Sequence, residues 1–258
     1  MKTMLIMLLA YCCLHGCVES SDSGSSTASS GTGGSTARFV IQNNHLIVVE
    51  DRSIRSFSIE DAMNPVLIDQ TFTNGPRLET VFPYEDDLVL IGTNQGAIIV
   101  RLTNEGLIDG LSFASHFTSR DPVVAENNIM YVTIRPDGNQ TRQVDNSGVL
   151  VRDGSNRLIV FDISDLDDPV ELVQKPIDQP SGLSLAGDRL YVCFSEGLRI
   201  YDVADPSDPQ VVSDYADFPC NDVIAGGSKL LATGDEGIQL LDNQQDVIAL
   251  LTTIQKGD

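Results

Sequence analysis

From residue 37 onward, short apolar runs alternate with turns rich in Asn, Asp, Gly and Pro, and the runs recur in a fixed order. They are dominated by Val, Ile and Leu and sustain no 3.6-residue period, which predicts strands and excludes helical repeats of similar length. The clearest unit begins with Asp188-Arg189-Leu190-Tyr191-Val192-Cys193 and continues with Glu196-Gly197-Leu198-Arg199-Ile200-Tyr201-Asp202-Val203. It ends with Asp205-Pro206-Ser207-Asp208-Pro209-Gln210-Val211-Val212. Anchored on the first apolar residue of the second strand, copies start at Leu46, Leu88, Met130, Leu190 and Leu230, at spacings of 42, 42, 60 and 40 residues.

The long interval contains Arg135 to Ser155, crowded with Pro, Gly, Asn, Asp and Gln, which predicts an inserted loop. Without it the period is restored. Four short strands repeated every 40 to 45 residues or so mark a propeller, in which neighbouring blades bury the faces of each small sheet. The expected fold is all-β, a five-bladed β-propeller of four-stranded antiparallel blades. The repeat begins at an innermost strand, Arg38 to Gln42, and ends at an outermost one, Ile248 to Ile254, so the ring should close without exchanging a strand.

The turns carry residues suited to them. Gly96, Gly197 and Gly237 fall at the hairpin between second and third strands, where positive φ angles suit a residue without a side chain. Asp205 to Pro209, and Asp165-Leu166-Asp167-Asp168-Pro169 one blade earlier, turn the chain into the outer strand: Pro presets one dihedral and Asp caps its own turn.

The first residues follow a different pattern. Lys2 precedes an apolar stretch from Met4 to Leu14 and the tetrapeptide Leu14-His15-Gly16-Cys17, the order of a signal peptide ending in a lipobox. The stretch is too short for a membrane span, which needs about 20 residues. Cleavage before Cys17 and lipid attachment to it are expected. Residues 1–16 are then the signal peptide, 17–36 a lipidated, Ser/Gly-rich flexible tether, and 37–258 the propeller. Val18 in place of Asp favours the outer membrane over retention at the inner one, with the domain facing periplasm or exterior.

Loss of Lys2 moves the net charge from −21 to −22. So acidic a surface argues against nucleic acid as a partner and keeps an exported protein soluble. Of five cysteines, Cys193 and Cys220 belong to the folded part, too few for a disulfide framework, so the hydrophobic core must hold the fold. They are expected as free buried thiols, with a bridge across adjacent blades as the alternative.

Asp162-Ile163-Ser164-Asp165 and Tyr201-Asp202-Val203-Ala204-Asp205-Pro206, each after a Leu-aliphatic pair, resemble the LVIVD repeat of bacterial surface propellers. Longer runs resemble one branch of that family, its propeller lipoproteins: Glu79 to Tyr84, Asp121-Pro122-Val123-Val124, Tyr131-Val132-Thr133 and Asp222-Val223-Ile224. The resemblance covers nearly all of residues 36–256 and implies the fold and export, but no particular reaction. Relatives of that branch carry Cys where this chain has Arg120, and a second Cys in the inserted loop. Neither is present here, so the resemblance implies a loop that has lost its pin.

Three places carry residues suited to chemistry. His45 precedes a strand in a turn slot and reads as an exposed turn residue, and His116 lies upstream of Arg120 and Asp121 without a nucleophile elbow or metal-ligand spacing. Asp162, Asp165, Asp167 and Asp168, with Asp202, Asp205 and Asp208 in the next blade, raise calcium, but their recurrence at one turn favours turn caps. The third place is the start of each innermost strand, eight and nine residues before the anchors: Ala37 and Arg38, Glu79 and Thr80, Asp121 and Pro122, Ser181 and Gly182, Asn221 and Asp222. These should converge on one mouth of the central channel, and a concave cluster of polar groups is the expected binding site.

The ligand-binding candidates are therefore Arg38, Glu79, His116, Arg120, Asp121, Ser181, Asn221 and Asp222. The chain reads as a lipid-anchored, monomeric propeller that binds an envelope protein or an extracellular polymer without catalysis and without a cofactor. The alternative is an enzyme or a metal-dependent binder, calcium included, that uses the same mouth. Fold alone does not choose between them.

Overall fold

The computed structural model describes residues 34–75, 77–93, 96–114, 122–135, 143–144, 150–152 and 156–256. Cys17, the signal peptide and residues 17–33 of the tether lie outside them, as do His116, Arg120 and Asp121.

Five four-stranded antiparallel sheets follow one another along the chain. Blade 1 comprises β1 (Phe39–Gln42), β2 (His45–Glu50), β3 (Ser53–Ser58) and β4 (Val66–Phe72). Blade 2 comprises β5 (Leu78–Tyr84), β6 (Leu88–Thr93), β7 (Gly96–Leu102) and β8 (Ile108–Ala114). Blade 3 starts with β9 (Val123–Glu126) and β10 (Ile129–Ile134), is interrupted by a small hairpin of β11 (Gln143–Val144) and β12 (Leu150–Arg152), and resumes with β13 (Arg157–Asp162) and β14 (Val170–Pro176). Blade 4 is β15 (Leu183–Ala186), β16 (Arg189–Phe194), β17 (Gly197–Asp202) and β18 (Gln210–Tyr215). Blade 5 is β19 (Asp222–Gly226), β20 (Lys229–Gly234), β21 (Gly237–Gln244) and β22 (Val247–Gln255). The fold is the expected five-bladed propeller; each blade is built from one stretch of chain, with none of its four strands exchanged between blades. Within the predicted loop, β11 and β12 pair with each other.

Two local devices shape every blade. The inner hairpins turn on residues with positive φ, such as Asn43-Asn44 at 47° and 61° and Asn127-Asn128 at 53° and 62°, matching the twist of the flanking strands. The pairing of third and fourth strands slips by one residue at corresponding places, for example Ser56/Phe57, Val160/Phe161, Ile200/Tyr201 and Leu240/Leu241. A bulge there increases the twist of the outer strand. Gly197 and Gly237 are fixed by more than their turns. A Cβ on Gly197 would lie 2.2 Å from the Tyr215 carbonyl oxygen, and one on Gly237 2.1 Å from that of Ile254.

The core lies between blades. Val40, Ile47, Val49 and Ile54 pack on Val81, Val89, Ile91 and Val100, and Leu90 and Ile99 pack on Met130, Val132 and Phe161. Val124, Leu158 and Val160 meet Leu183, Leu190 and Val192, while Tyr191, Leu198 and Ile200 meet Val223, Leu230 and Leu241. At about 25 cal/mol per Å² of apolar area removed from water, these four seams supply most of the favourable free energy of folding.

Two sequence expectations change. His45 is buried, at 9% exposure: it opens β2, and the turn at Gly106 of the neighbouring blade closes over it so tightly that a Cβ there would sit 2.3 Å from its Cδ2. Cys193 and Cys220 are joined by a disulfide, with Cα atoms 5.4 Å apart. Cys193 lies near the end of β16, and Cys220 just before the innermost strand of the next blade. A propeller brings those two places side by side, although they are 27 residues apart in the chain.

Candidate binding site at the channel mouth

The starts of the innermost strands meet around a cavity of about 480 Å³. Arg38, Glu79, Ser181, Asn221 and Asp222, all predicted at the mouth, line it. Sequence reasoning missed Arg77 and Arg135, which line it too. Arg77 precedes β5 and Arg135 follows β10, so both fell outside the aligned positions. A second cavity, of about 360 Å³, shares Arg135, Ser181 and Asn221 with the first and runs on to Asp235, Glu236 and Gln239.

Backbone hydrogen bonds tie the rim together. The Val81 amide donates to the Ala37 carbonyl at 2.7 Å and the Gly182 amide to the Asn221 carbonyl at 2.9 Å. The Thr133 hydroxyl donates to the Ser181 carbonyl at 2.7 Å. Each bond crosses from one blade to the next, so the mouth is held on several strands at once.

Asp222 is the centre of this arrangement. Its carboxylate accepts from the Thr36 hydroxyl at 2.6 Å, the Ser35 hydroxyl at 3.1 Å and the amide of Val223 at 3.0 Å. The Ser35 oxygen in turn accepts the Leu183 amide at 2.8 Å. Burial raises the Asp222 carboxyl above its ordinary pKa, and the bonds from Thr36, Val223 and Ser35 offset part of that shift. A Cβ on Gly182 would come within 2.1 Å of a carboxylate oxygen and 2.6 Å of the Asp222 Cα, so close approach to the backbone requires glycine there; one on Gly34 would meet the same carboxylate at 2.1 Å. Ser35 and Thr36, assigned from composition to the tether, therefore belong to the folded body. Their hydroxyls answer a carboxylate 186 or more residues away, a partnership that composition does not reveal.

The aspartate-rich turns have a structural explanation. Asp162 accepts the amide of Ser164 at 2.8 Å, Asp165 that of Asp167 at 3.0 Å, Asp202 that of Ala204 at 3.0 Å and Asp205 that of Ser207 at 2.9 Å. The Ser164 and Ser207 side chains, then their amides, hold Asp162 and Asp205 below the ordinary carboxylate pKa. Among the described residues no group of three or more His, Cys, Asp or Glu is placed to hold a metal ion.

The fold and its ring of inner strands define a β-propeller with a polar mouth. The model for the LVIVD repeat matches residues 149–174 and 180–217, so blades 3 and 4 of the β-propeller carry LVIVD-type repeats. A search of curated proteins found no match to the sequence. Among solved structures, a functionally unknown protein from Desulfotomaculum acetoxidans DSM 771 superposes with a TM-score of 0.62 at 9% identity, covering 86% of this chain and 70% of its own. A proposed 6-phosphogluconolactonase from Bacteroides fragilis NCTC 9343 gives 0.61 at 13%, covering 84% and 69%. The periplasmic gluconolactonase PpgL of Pseudomonas aeruginosa gives 0.51 at 13%, covering 83% of both chains. Identities this low establish a shared fold and carry no activity across.

Proposed function

We propose that this chain is a lipid-anchored propeller of the cell envelope that binds a ligand at its channel mouth without transforming it. The observation that carries this reading is the convergence of five inner-strand starts on one cavity of about 480 Å³, a size suited to a small molecule or the end of a polymer. Among the described residues the polar lining consists of hydroxyls, an amide, carboxylates and guanidinium groups, with no histidine or cysteine. It is therefore equipped to bind by hydrogen bonds and charge. Cys17 supplies the anchor, and the segment after it lets the mouth reach an envelope protein or an extracellular polymer away from the lipid.

The test is a thermal-shift screen of the full mature chain against a library of envelope glycans and small metabolites, in parallel with Asn221→Trp, which fills the mouth. A ligand that binds only the folded state raises the melting temperature. The expected result is a shift in the parent protein that Asn221→Trp abolishes, with the bound compound recovered unchanged by mass spectrometry. Recovery of a converted compound would replace binding with catalysis, as would suit the lactonases that share the fold. A shift indifferent to Asn221→Trp would move the site elsewhere.

A further inference from the structure

The mouth differs in charge from the molecule that carries it. The chain has 37 Asp and Glu against 16 Lys and Arg, yet Arg38, Arg77 and Arg135 all line this one cavity, against Glu79 and Asp222. The Asp222 carboxylate accepts hydrogen bonds from Ser35, Thr36 and the Val223 amide, so its acceptor sites are largely committed within the protein. Arg77 also meets Asp51 through Nε at 3.1 Å in a solvent-exposed pair of the kind that contributes little and exchanges readily. The guanidinium groups of Arg38 and Arg135 form no ion pair among the described residues. Three arginines against two carboxylates leave this cavity with a local positive excess on a strongly acidic protein, which suits an anionic ligand.

We infer that the mouth receives a small hydroxylated carboxylate, with the acid group held by Arg38, Arg77 and Arg135 and the hydroxyls facing Ser181, Asn221 and the adjoining carboxylates. This rests on the mouth being the binding site. The guanidinium fork matches a carboxylate in a planar two-point contact, whereas a lone lysine would act only as a point charge. The second cavity begins at Arg135, Ser181 and Asn221 and leads to Asp235 and Glu236, which accept hydrogen bonds from hydroxyl groups and would repel a second acid group. Among the described residues no aromatic ring lines the cavity that holds all three arginines, so the lining described offers charge and hydrogen bonds rather than stacking. Such a ligand occurs either free or as a residue of an acidic polysaccharide, and the chemistry of the contact is the same.

Isothermal titration calorimetry on the full mature chain separates these cases, with gluconate, neutral glucose and a galacturonate oligomer as probes. Gluconate is expected to bind more weakly as salt rises, glucose not at all at the same concentration, and Arg38→Gln/Arg135→Gln to weaken gluconate by about tenfold or more. Tighter binding of the oligomer than of gluconate assigns the ligand to a polymer, and the reverse assigns it to a free acid. Equal affinity for glucose and gluconate, no binding of either acid, or gluconate binding unchanged in the double variant would overturn the inference. The mouth itself would survive that outcome if a library ligand were still displaced by Asn221→Trp.

Discussion

Four of the five seams between blades are alike, and the fifth is not. From blade 1 to blade 5, each neighbouring pair shares a buried apolar cluster, and the central strands are covered on both sides: β6 is buried along its whole length, and β10 and β16 nearly so. The seam between blades 4 and 5 adds the Cys193–Cys220 disulfide and the Arg189 guanidinium, which holds Asp202 at 2.8 Å and Asp246 at 2.9 Å. Where blade 5 meets blade 1, burial alternates along β2 and β20 instead, one face covered and the other open. Register places Phe39 opposite Val48 and Ile41 opposite Leu46 on the open face of blade 1, and Phe39 is 62% and Ile41 40% exposed. On blade 5 the open face carries Ile224, Leu231, Leu240 and Ile238, with Leu231 38% exposed. Among the described residues, the hydrogen bonds that link this seam run from Ser35 and Thr36 to Asp222, at the mouth. A ring can thus be held in register by a polar latch at its axis while apolar faces further out remain uncovered.

The sharpest way to break this comparison uses one residue type on two faces of one blade. Ile47→Ala, in the closed seam between blades 1 and 2, should cost about 2–5 kcal/mol in urea unfolding, because it leaves a cavity. Ile41→Ala, on the open face, should change stability by about 0.5 kcal/mol or less. Equal losses would mean that the open face is covered in solution. Reducing the disulfide, or Cys193→Ala/Cys220→Ala, should cost about 2–4 kcal/mol through the freed chain between the cysteines. The melting temperature with and without reductant measures it.

The latch gives smaller and more specific effects. Asp222→Ala should cost about 1–3 kcal/mol, since it strands the Ser35 and Thr36 donors that the carboxylate satisfies. The pH dependence has a definite sign. The Asp222 pKa is raised in the folded protein, so the folded state holds its proton more tightly than the unfolded chain. The stability contributed by this group is complete below the unfolded value and is lost as pH rises through the folded one. Other carboxylates, such as Asp162 and Asp205, are shifted down and act in the opposite sense, so the difference from Asp222→Asn isolates the effect. As pH falls from neutrality toward the ordinary carboxylate range, the parent protein should gain stability relative to Asp222→Asn in thermal melts.

Much of the fold was legible because a blade is a local object: strands, turns and bulges repeat within 40 or so residues, and the period survives a long insertion. The mouth was legible in part for the same reason. Aligning the inner-strand starts found Arg38, Glu79, Ser181, Asn221 and Asp222, which the structure brings to one cavity. What the repeat hid is what departs from it. Arg77 and Arg135 occupy no repeated slot, and Ser35 and Thr36 precede the first repeat. The Cys193–Cys220 bond and the cover over His45 are contacts between blades, and spacing within a blade contains no signal for them. The open seam was masked in another way. Phe39, Ile41, Leu231 and Ile238 fit the blade pattern as well as any core residue, and only the geometry shows that no partner cluster among the described residues covers their faces.

Hydrogen–deuterium exchange, read peptide by peptide in the parent protein and in Asp222→Ala, tests most directly whether the fifth seam depends on its latch. Amides of β1, β2, β19 and β20 should exchange faster in the variant, while those of β10 and β16, covered on both sides, keep their protection. A uniform loss of protection across all five blades, or none in blades 1 and 5, would contradict it.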